Sequence, residues 1–397
     1  MRLRLLLLAL GTFAVGTDGM VIAGILGLIA GDLDVSVPAA GQMITVFALA
    51  YALLAPVLAT ATAHWARRRA LLTGLAVFTA ANALTALAPD YSTLLLTRVL
   101  AAAGAALYTP TASAAAAALV PPERRGRALA TVMGGMTFAT ALGVPVGTWI
   151  GRSDWRLTMW LVTALGAAAL AGLALLLREL PAPAPALALR ARLAPLADRR
   201  VLAAAATTFL VFLAFQTVFI YYSVAAAPAT GGDQGRLTLL LLVSGVVSVL
   251  GSTLGGRVVD RWGPRTVLLA GGAVSTLVSL ALPWLMQSMP TALLAAAVNP
   301  LAGWAVAVAL PARLVSLDPP NAPLLLSLNS TALYLGIAAA GGAGSAAIAL
   351  LGPRWFPFAS TALTVLALVV GTLTTRPAPP KPGIRRPADG VRATPAA

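Results

Sequence analysis

Cysteine is absent from this 397-residue sequence, and histidine occurs once, at His64. Disulfides, thiolate metal centres and histidine-cluster metal sites are thereby excluded, and no metal is expected. Lysine also occurs once, as Lys381, and proline follows it. A glycine-rich phosphate loop ending in Lys-Ser or Lys-Thr is therefore missing, and with it that means of using ATP. Charge is scarce as well: 10% of residues carry it, against about 25% in soluble domains. Strand-length alternating segments are absent, which excludes a membrane β-barrel.

What fills the chain instead is apolar: 59% of residues are hydrophobic and the mean hydropathy is +0.90. A helix crosses the hydrocarbon of a bilayer with roughly 20 such residues. Twelve runs meet that need, at 5–30, 41–62, 70–88, 93–118, 128–150, 157–177, 201–226, 237–258, 266–286, 291–311, 323–350 and 355–375. Arg2 and Arg4 before LLLLALGTF imitate a secretory signal, yet the apolar run continues to Ala30 without a cleavage site, so a retained first helix is expected. The fold expected is an all-α membrane protein with twelve transmembrane helices in two pseudo-symmetric six-helix bundles. The halves cover 1–177 and 201–376, joined by a Pro/Ala-rich basic linker at 178–200 and followed by a disordered tail at 377–397.

A net charge of +15 would suggest a nucleic-acid partner in a soluble protein. Here its distribution decides otherwise. With the N-terminus placed in the cytoplasm, every basic residue falls on the inner side except Arg152, Arg156, Arg236 and Arg354 outside and Arg98 within the membrane. That is the positive-inside bias, so the expected partner is the lipid bilayer and not nucleic acid.

The two halves share a signature. AHWARRRALL, 63–72, aligns without gaps on DRWGPRTVLL, 260–269, matching at Trp65 with Trp262, Arg68 with Arg265, and Leu71 and Leu72 with Leu268 and Leu269. Parallel duplication of a six-helix unit predicts such a repeat. In the second copy, Gly256 and Gly263 suit a tight turn, and Asp260, Arg261 and Arg265 could form a charge latch closing one access state. A plain positive-inside anchor is the alternative. In the fifth run, Gly143, Pro145 and Gly147 would let two helices meet closely and one of them bend. GIAAAGGAGSA, 336–346, repeats that theme in the eleventh. The fourth run places Arg98 in the membrane six residues before Gly104, either paired inside the bundle or snorkelling to the interface.

Together these segments resemble the major facilitator superfamily over nearly the whole chain, and within it the twelve-helix bacterial drug:proton antiporters that include chloramphenicol-resistance and sugar-efflux proteins. Residues 256–265 fit the family's G-x-x-x-D-R-x-G-x-R loop. The first-half copy departs from it, with Ala59 and Ala63 where glycine and aspartate are expected and only Arg67, Arg68 and Arg69 kept, so an asymmetric latch is implied. The fifth-run cluster is similar to the family's antiporter motif in shortened form.

Asp18 is the remaining anomaly, an acid in the middle of the first run. It costs about 2.5 to 3.5 kcal/mol on insertion scales and should face the bundle interior. Burial disfavours its charged form and a nearby Arg98 would favour it, opposing effects that could change between access states. A permanent helix-bridging role is the competing reading, and the family's acid falls one position later, where this chain has Gly19. The substrate cavity is expected among Asp18, Tyr51, Tyr108, Gln216, Tyr221, Tyr222, Asn299, Asn329 and Tyr334, near midplane between the halves.

The function these readings imply is not enzymatic. It is alternating-access efflux of small hydrophobic compounds, antibiotics or related metabolites, driven by the proton gradient and needing no cofactor, in which Asp18 and Arg98 couple and substrate and proton occupy the cavity in turn. The protein is expected as a monomer in the bacterial inner membrane with both termini cytoplasmic. A sugar or metabolite exporter, an uncoupled facilitator, and a non-transporting sensor or scaffold are the alternatives.

Overall fold

A computed structural model describes residues 2–62, 64–121, 125–177, 197–318 and 322–373. Most of the linker, the tail and Ala63 lie outside the described residues. Among those residues every regular element is helical, as lipid requires, since a helix satisfies its own backbone donors and acceptors. The N-terminal half comprises α1 (Arg2–Asp32), α2 (Val37–Ala61), α3 (Arg67–Ala86) and α4 (Tyr91–Ala118), then α5 (Arg125–Phe138), a π-helical turn (Ala139–Gly143) and α6 (Val144–Gly151) as one interrupted crossing, then α7 (Trp155–Leu176). The C-terminal half comprises α8 (Arg199–Ile220), α9 (Tyr222–Thr230), α10 (Gln234–Leu285), α11 (Met289–Leu317), α12 (Ala322–Trp355) and α13 (Pro357–Leu373).

Glycines followed by prolines divide what periodicity alone would leave continuous. At 52 residues α10 would be about 78 Å long if straight, far more than a bilayer needs. Gly263 breaks it with φ 79° and ψ 153°, a conformation essentially reserved for glycine, and Pro264 follows. The α10 element therefore contains the eighth and ninth crossings, and the motif's Gly263 is their turn. Gly352, at φ 81° and ψ 165° before Pro353, ends the eleventh crossing in the same way. The seventh run, expected as one helix, is interrupted at Tyr221, where φ is −102° and ψ 30°.

Four acids outside the membrane interior start helices. Asp90, Asp154, Asp198 and Asp233 each accept a hydrogen bond from a backbone N–H in the first turn of α4, α7, α8 and α10, satisfying a donor that the helix itself cannot. Large apolar side chains such as Leu84, Leu96, Leu175 and Leu277 stay exposed, as suits helices whose outer faces meet lipid. One buried core, with Leu8, Phe78 and Tyr108, lies in the N-terminal half. A larger one joins the halves around Ile25, Ile29, Tyr221, Leu240 and Phe356, at the end where α1 finishes.

The Asp90 cap carries a pH dependence. The Thr93 backbone N–H, and after it the Thr93 hydroxyl, hold this carboxyl below its ordinary value of 3.8. A depressed acid contributes its stability in full above the unfolded-state value and loses it as pH falls through the folded one. Asp90→Asn keeps an oxygen acceptor but cannot titrate, so the loss of thermal midpoint between neutral pH and pH near 3 should be smaller in the variant than in the parent protein.

Candidate functional site

The site is built outward from α1. α1 is apolar on all sides, as a membrane span or a core helix is, and it packs against α2, α4, α5 and α7, the π turn and α6. Small residues permit this. A Cβ at Gly143 would lie 2.0 Å from Thr17 Oγ1, one at Gly147 would lie 2.6 Å from Val21 Cγ2, and one at Gly151 would lie 3.0 Å from Ile25 Cγ2. Both series advance four residues at a time, so one ridge of each helix fills the groove of the other. The π turn precedes Pro145, whose missing N–H cannot continue the ordinary hydrogen-bond ladder. The glycine-proline cluster is thus the seam that presses the fifth crossing onto the first, next to Asp18.

Asp18 faces α4. Arg98 Nη1 donates to Asp18 Oδ1 at 2.7 Å and Nη2 to Oδ2 at 3.0 Å, and both side chains are 0% exposed. The Arg98 guanidinium also lies 4.8 Å from the centre of the Phe47 ring on α2. The pair is therefore a dry bidentate fork, the arrangement arginine serves best, and snorkelling does not occur. Phe47 contacts Tyr51 at 6.5 Å between ring centres, and Tyr51 stacks on Tyr334 of α12 at 3.8 Å. A line of contacts thus runs from the ion pair to the other half.

Two adjoining clefts of about 690 and 840 Å³, open mouths included, lie on the opposite side of α1. Met20, Phe215, Val218, Asn299 and Trp304 line both. Met20 stands two residues from Asp18, about 200° around the helix, so the ion pair and the clefts sit back to back. No charged side chain lines either cleft, and Asp18 does not reach them. A cavity that Asp18 shares with the ligand is therefore not what the structure holds.

The structure divides the other expected cavity residues. Gln216, Tyr222 and Asn299 line the clefts. Tyr108 is sealed in the N-terminal half, donating to the Leu8 carbonyl at 2.9 Å, and Asn329 accepts from Thr208 at 2.9 Å. Tyr221 donates to the Gly341 carbonyl at 2.8 Å and packs against Gly41, where a Cβ would meet its hydroxyl at 2.5 Å. Tyr51 and Tyr334 form the stack between halves. An aromatic or amide in an apolar run gives no sign of which way it points, and this separates the two groups. Trp304, Phe215 and Met20 carry no mark in the sequence of lining a cleft, because apolar wall residues look like any other packing residue.

The gating residues are equally divided. Arg68 caps the end of α7, donating to Leu177 and Ala174 carbonyls at 2.7 and 2.8 Å, as a cation at a helix C-terminus should. Arg67 reaches the Ala114 carbonyl at 3.5 Å. Asp260, Arg261 and Arg265 are exposed and make no ion pair among the described residues, and a Cβ at Gly256 would meet open space. The charge latch is not engaged in this state. The halves are held together at the opposite end instead, where Gln234 donates to the Gly24 carbonyl at 2.6 Å and a Cβ at Gly341 would lie 1.9 Å from Thr45 Oγ1.

Comparison with known proteins adds to this geometry. A model of the Major Facilitator Superfamily matches residues 8–227 and again 204–397. The inner membrane transport protein YdhP of Escherichia coli K12 is 33% identical over 377 residues, 94% of this chain and 96% of that one. A chloramphenicol resistance protein of Streptomyces lividans is 33% identical over 400 residues, 96% and 99% of the two chains. A solved bacterial homolog of the human lysosomal transporter Spinster, inward-facing and unoccupied, shares the fold with a TM-score of 0.71 at 18% identity, covering 94% of this chain and 96% of its own.

Two stability outcomes follow from the packing. Arg98→Gln strands a carboxylate in a dry site and should cost about 3–5 kcal/mol, whereas Asp18→Asn combined with Arg98→Gln should recover most of that loss; thermal unfolding in detergent reads both. Gly143→Ala should destabilise by about 1–3 kcal/mol through overpacking against Thr17, while Gly342→Ala, with no atom within 4 Å of the added carbon, should unfold at the parent temperature.

Proposed function

The chain belongs to the major facilitator superfamily, whose members are membrane transporters and not enzymes, and from that membership we propose that it is a proton-coupled exporter of small, uncharged, largely apolar compounds. Its place is a bacterial cytoplasmic membrane, with both termini inside. The observation that carries this reading is the dry Asp18–Arg98 fork set behind an uncharged cleft on the same helix.

Each part has a physical task. Asp18 accepts a hydrogen bond on each carboxyl oxygen from the two ends of one guanidinium. A proton arriving on it removes the charge that Arg98 is paired with, and an unpaired buried guanidinium is costly, so the pair cannot stay as it is. The strain falls on α1, whose other face carries Met20 in the cleft wall, and on Phe47, which leads through Tyr51 to Tyr334 on α12. Proton and substrate therefore act through opposite faces of one helix and do not compete for one cavity. Alternating access proceeds by rocking of the halves about the contacts between α2 and α12 and between α10 and the fifth crossing.

The cleft's chemistry sets the substrate class. Its polar groups are hydroxyls and amides, including Ser244, Ser248 and Asn299, among Phe215, Phe219 and Trp304. An ion would lose its hydration there without gaining a counter-charge. The relative named for chloramphenicol resistance supports a neutral, aromatic, hydrogen-bonding cargo. Exchange of such a solute for a proton moves net charge, so membrane potential and pH gradient both drive it.

In proteoliposomes with an imposed pH gradient, Asp18→Asn should fold but lose uphill transport of chloramphenicol while keeping downhill exchange. Normal uphill transport by this variant would remove Asp18 from coupling. In an efflux-deficient bacterial strain the parent protein should raise resistance to neutral aromatic compounds and not to cationic dyes, and an uncoupler should abolish the effect.

A further inference from the structure

The duplication explains where the clefts come from. α1 and α8 begin at residues 2 and 199, and α2 and α10 at residues 37 and 234, the same interval that separates the matched loops at 63 and 260. At that interval Asp18 corresponds to Phe215, Phe47 to Ser244 and Tyr51 to Ser248. Arg98 corresponds to Ala295, or to Ala296 if the starts of α4 and α11 at residues 91 and 289 are aligned. All of these C-terminal counterparts line the first cleft. Where the N-terminal half has an ion pair and two rings, the C-terminal half has Phe215, two serines and alanine, and the missing side-chain volume is open space.

The second cleft continues inward among α8, α10, α11 and α13. Two buried polar atoms of its wall, Gln216 Oε1 and Ser275 Oγ, have no hydrogen-bond partner, and Gln216 is only 3% exposed. The Asn299 amide, in the wall common to both clefts, makes no hydrogen bond among the described residues. Buried donors and acceptors are normally satisfied, and leaving them unmet is costly. These two buried atoms, with the half-buried Asn299 amide beside them, form a site for a complementary partner.

We propose that this inner chamber of the C-terminal half is a substrate subsite that receives an uncharged amide or hydroxyl group, donating to Gln216 Oε1 and pairing with the Ser275 hydroxyl, while the ligand's aromatic body lies in the first cleft against Phe215 and Trp304. The chamber selects neutral amphiphiles with a hydrogen-bonding appendage over purely apolar solutes of the same size, and Gln216 is the specificity-determining residue. This rests on the reading of the clefts as the substrate path.

Because the chain has no cysteine, Ser275→Cys introduces a sole thiol. In the purified full-length protein in lipid nanodiscs, neutral N-ethylmaleimide should label it and a trimethylammonium methanethiosulfonate should not. The probe 2-phenylacetamide should slow labelling, and toluene at equal concentration should not. Adding Gln216→Ala should weaken the protection by phenylacetamide about tenfold, the worth of one buried hydrogen bond. Ser279→Cys, in the same wall, gives the same readout if the first variant does not fold. A thiol inert to maleimide at both positions, equal protection by toluene, or protection unchanged by Gln216→Ala would each overturn the subsite. No gradient is present, so the result is independent of proton coupling at Asp18, and a failure of coupling leaves the labelling pattern untouched.

Discussion

Two charges removed from water must satisfy one another, and the N-terminal half is arranged so that Asp18 and Arg98 can. Their fork has two short hydrogen bonds and no exposure, and it needs α1 and α4 at a close, fixed separation. The supporting contacts all serve that end: the glycines of the fifth crossing admit α1 from one side, Gly74 and Gly104 let α3 and α4 touch backbone to backbone, and Phe47 covers the guanidinium. Such a pair contributes little net stability, because desolvation offsets most of its attraction. It does fix α1 against α4, because parting the two would leave an uncompensated buried charge.

The C-terminal half shows the same architecture relieved of that constraint. The positions that match the ion pair and its rings hold smaller or neutral residues there, and the interior opens into clefts. Asp18 lies behind α1, which reaches the cleft wall through Met20, and Phe47 leads from the ion pair to Tyr51 and to Tyr334 of the other half. The stack between those tyrosines and the closure around Gln234 and Tyr221 show where the halves touch, with the loop at Asp260 left out of contact.

Much of this was legible in the sequence, and the exceptions have common causes. Gly263 stood out because a loop motif demanded a tight turn, and the backbone there is left-handed as that turn requires. Gly143 and Gly147 stood out by spacing, and that spacing is the packing ridge. Arg98 could be read either as paired or as snorkelling, since a one-dimensional position near a helix end suits both. The tyrosines at 51, 108, 221 and 334 looked alike as polar groups in apolar runs, yet one is sealed in a bundle, one holds the α12 carbonyl of Gly341, and two stack on each other.

By itself the sequence determined the class of solvent, the number of crossings, the duplication, and the presence of one acid at mid-membrane depth. These depend on composition and spacing along the chain, which lipid and backbone hydrogen bonding translate directly into helices. Only the tertiary structure decided that Asp18 meets Arg98, that it turns its back on the clefts, and that the open space lies in the other half. Helices apolar on every side carry no periodic mark of their orientation, so which residues face one another is settled only when the small-residue seams lock together and rotate each helix into place.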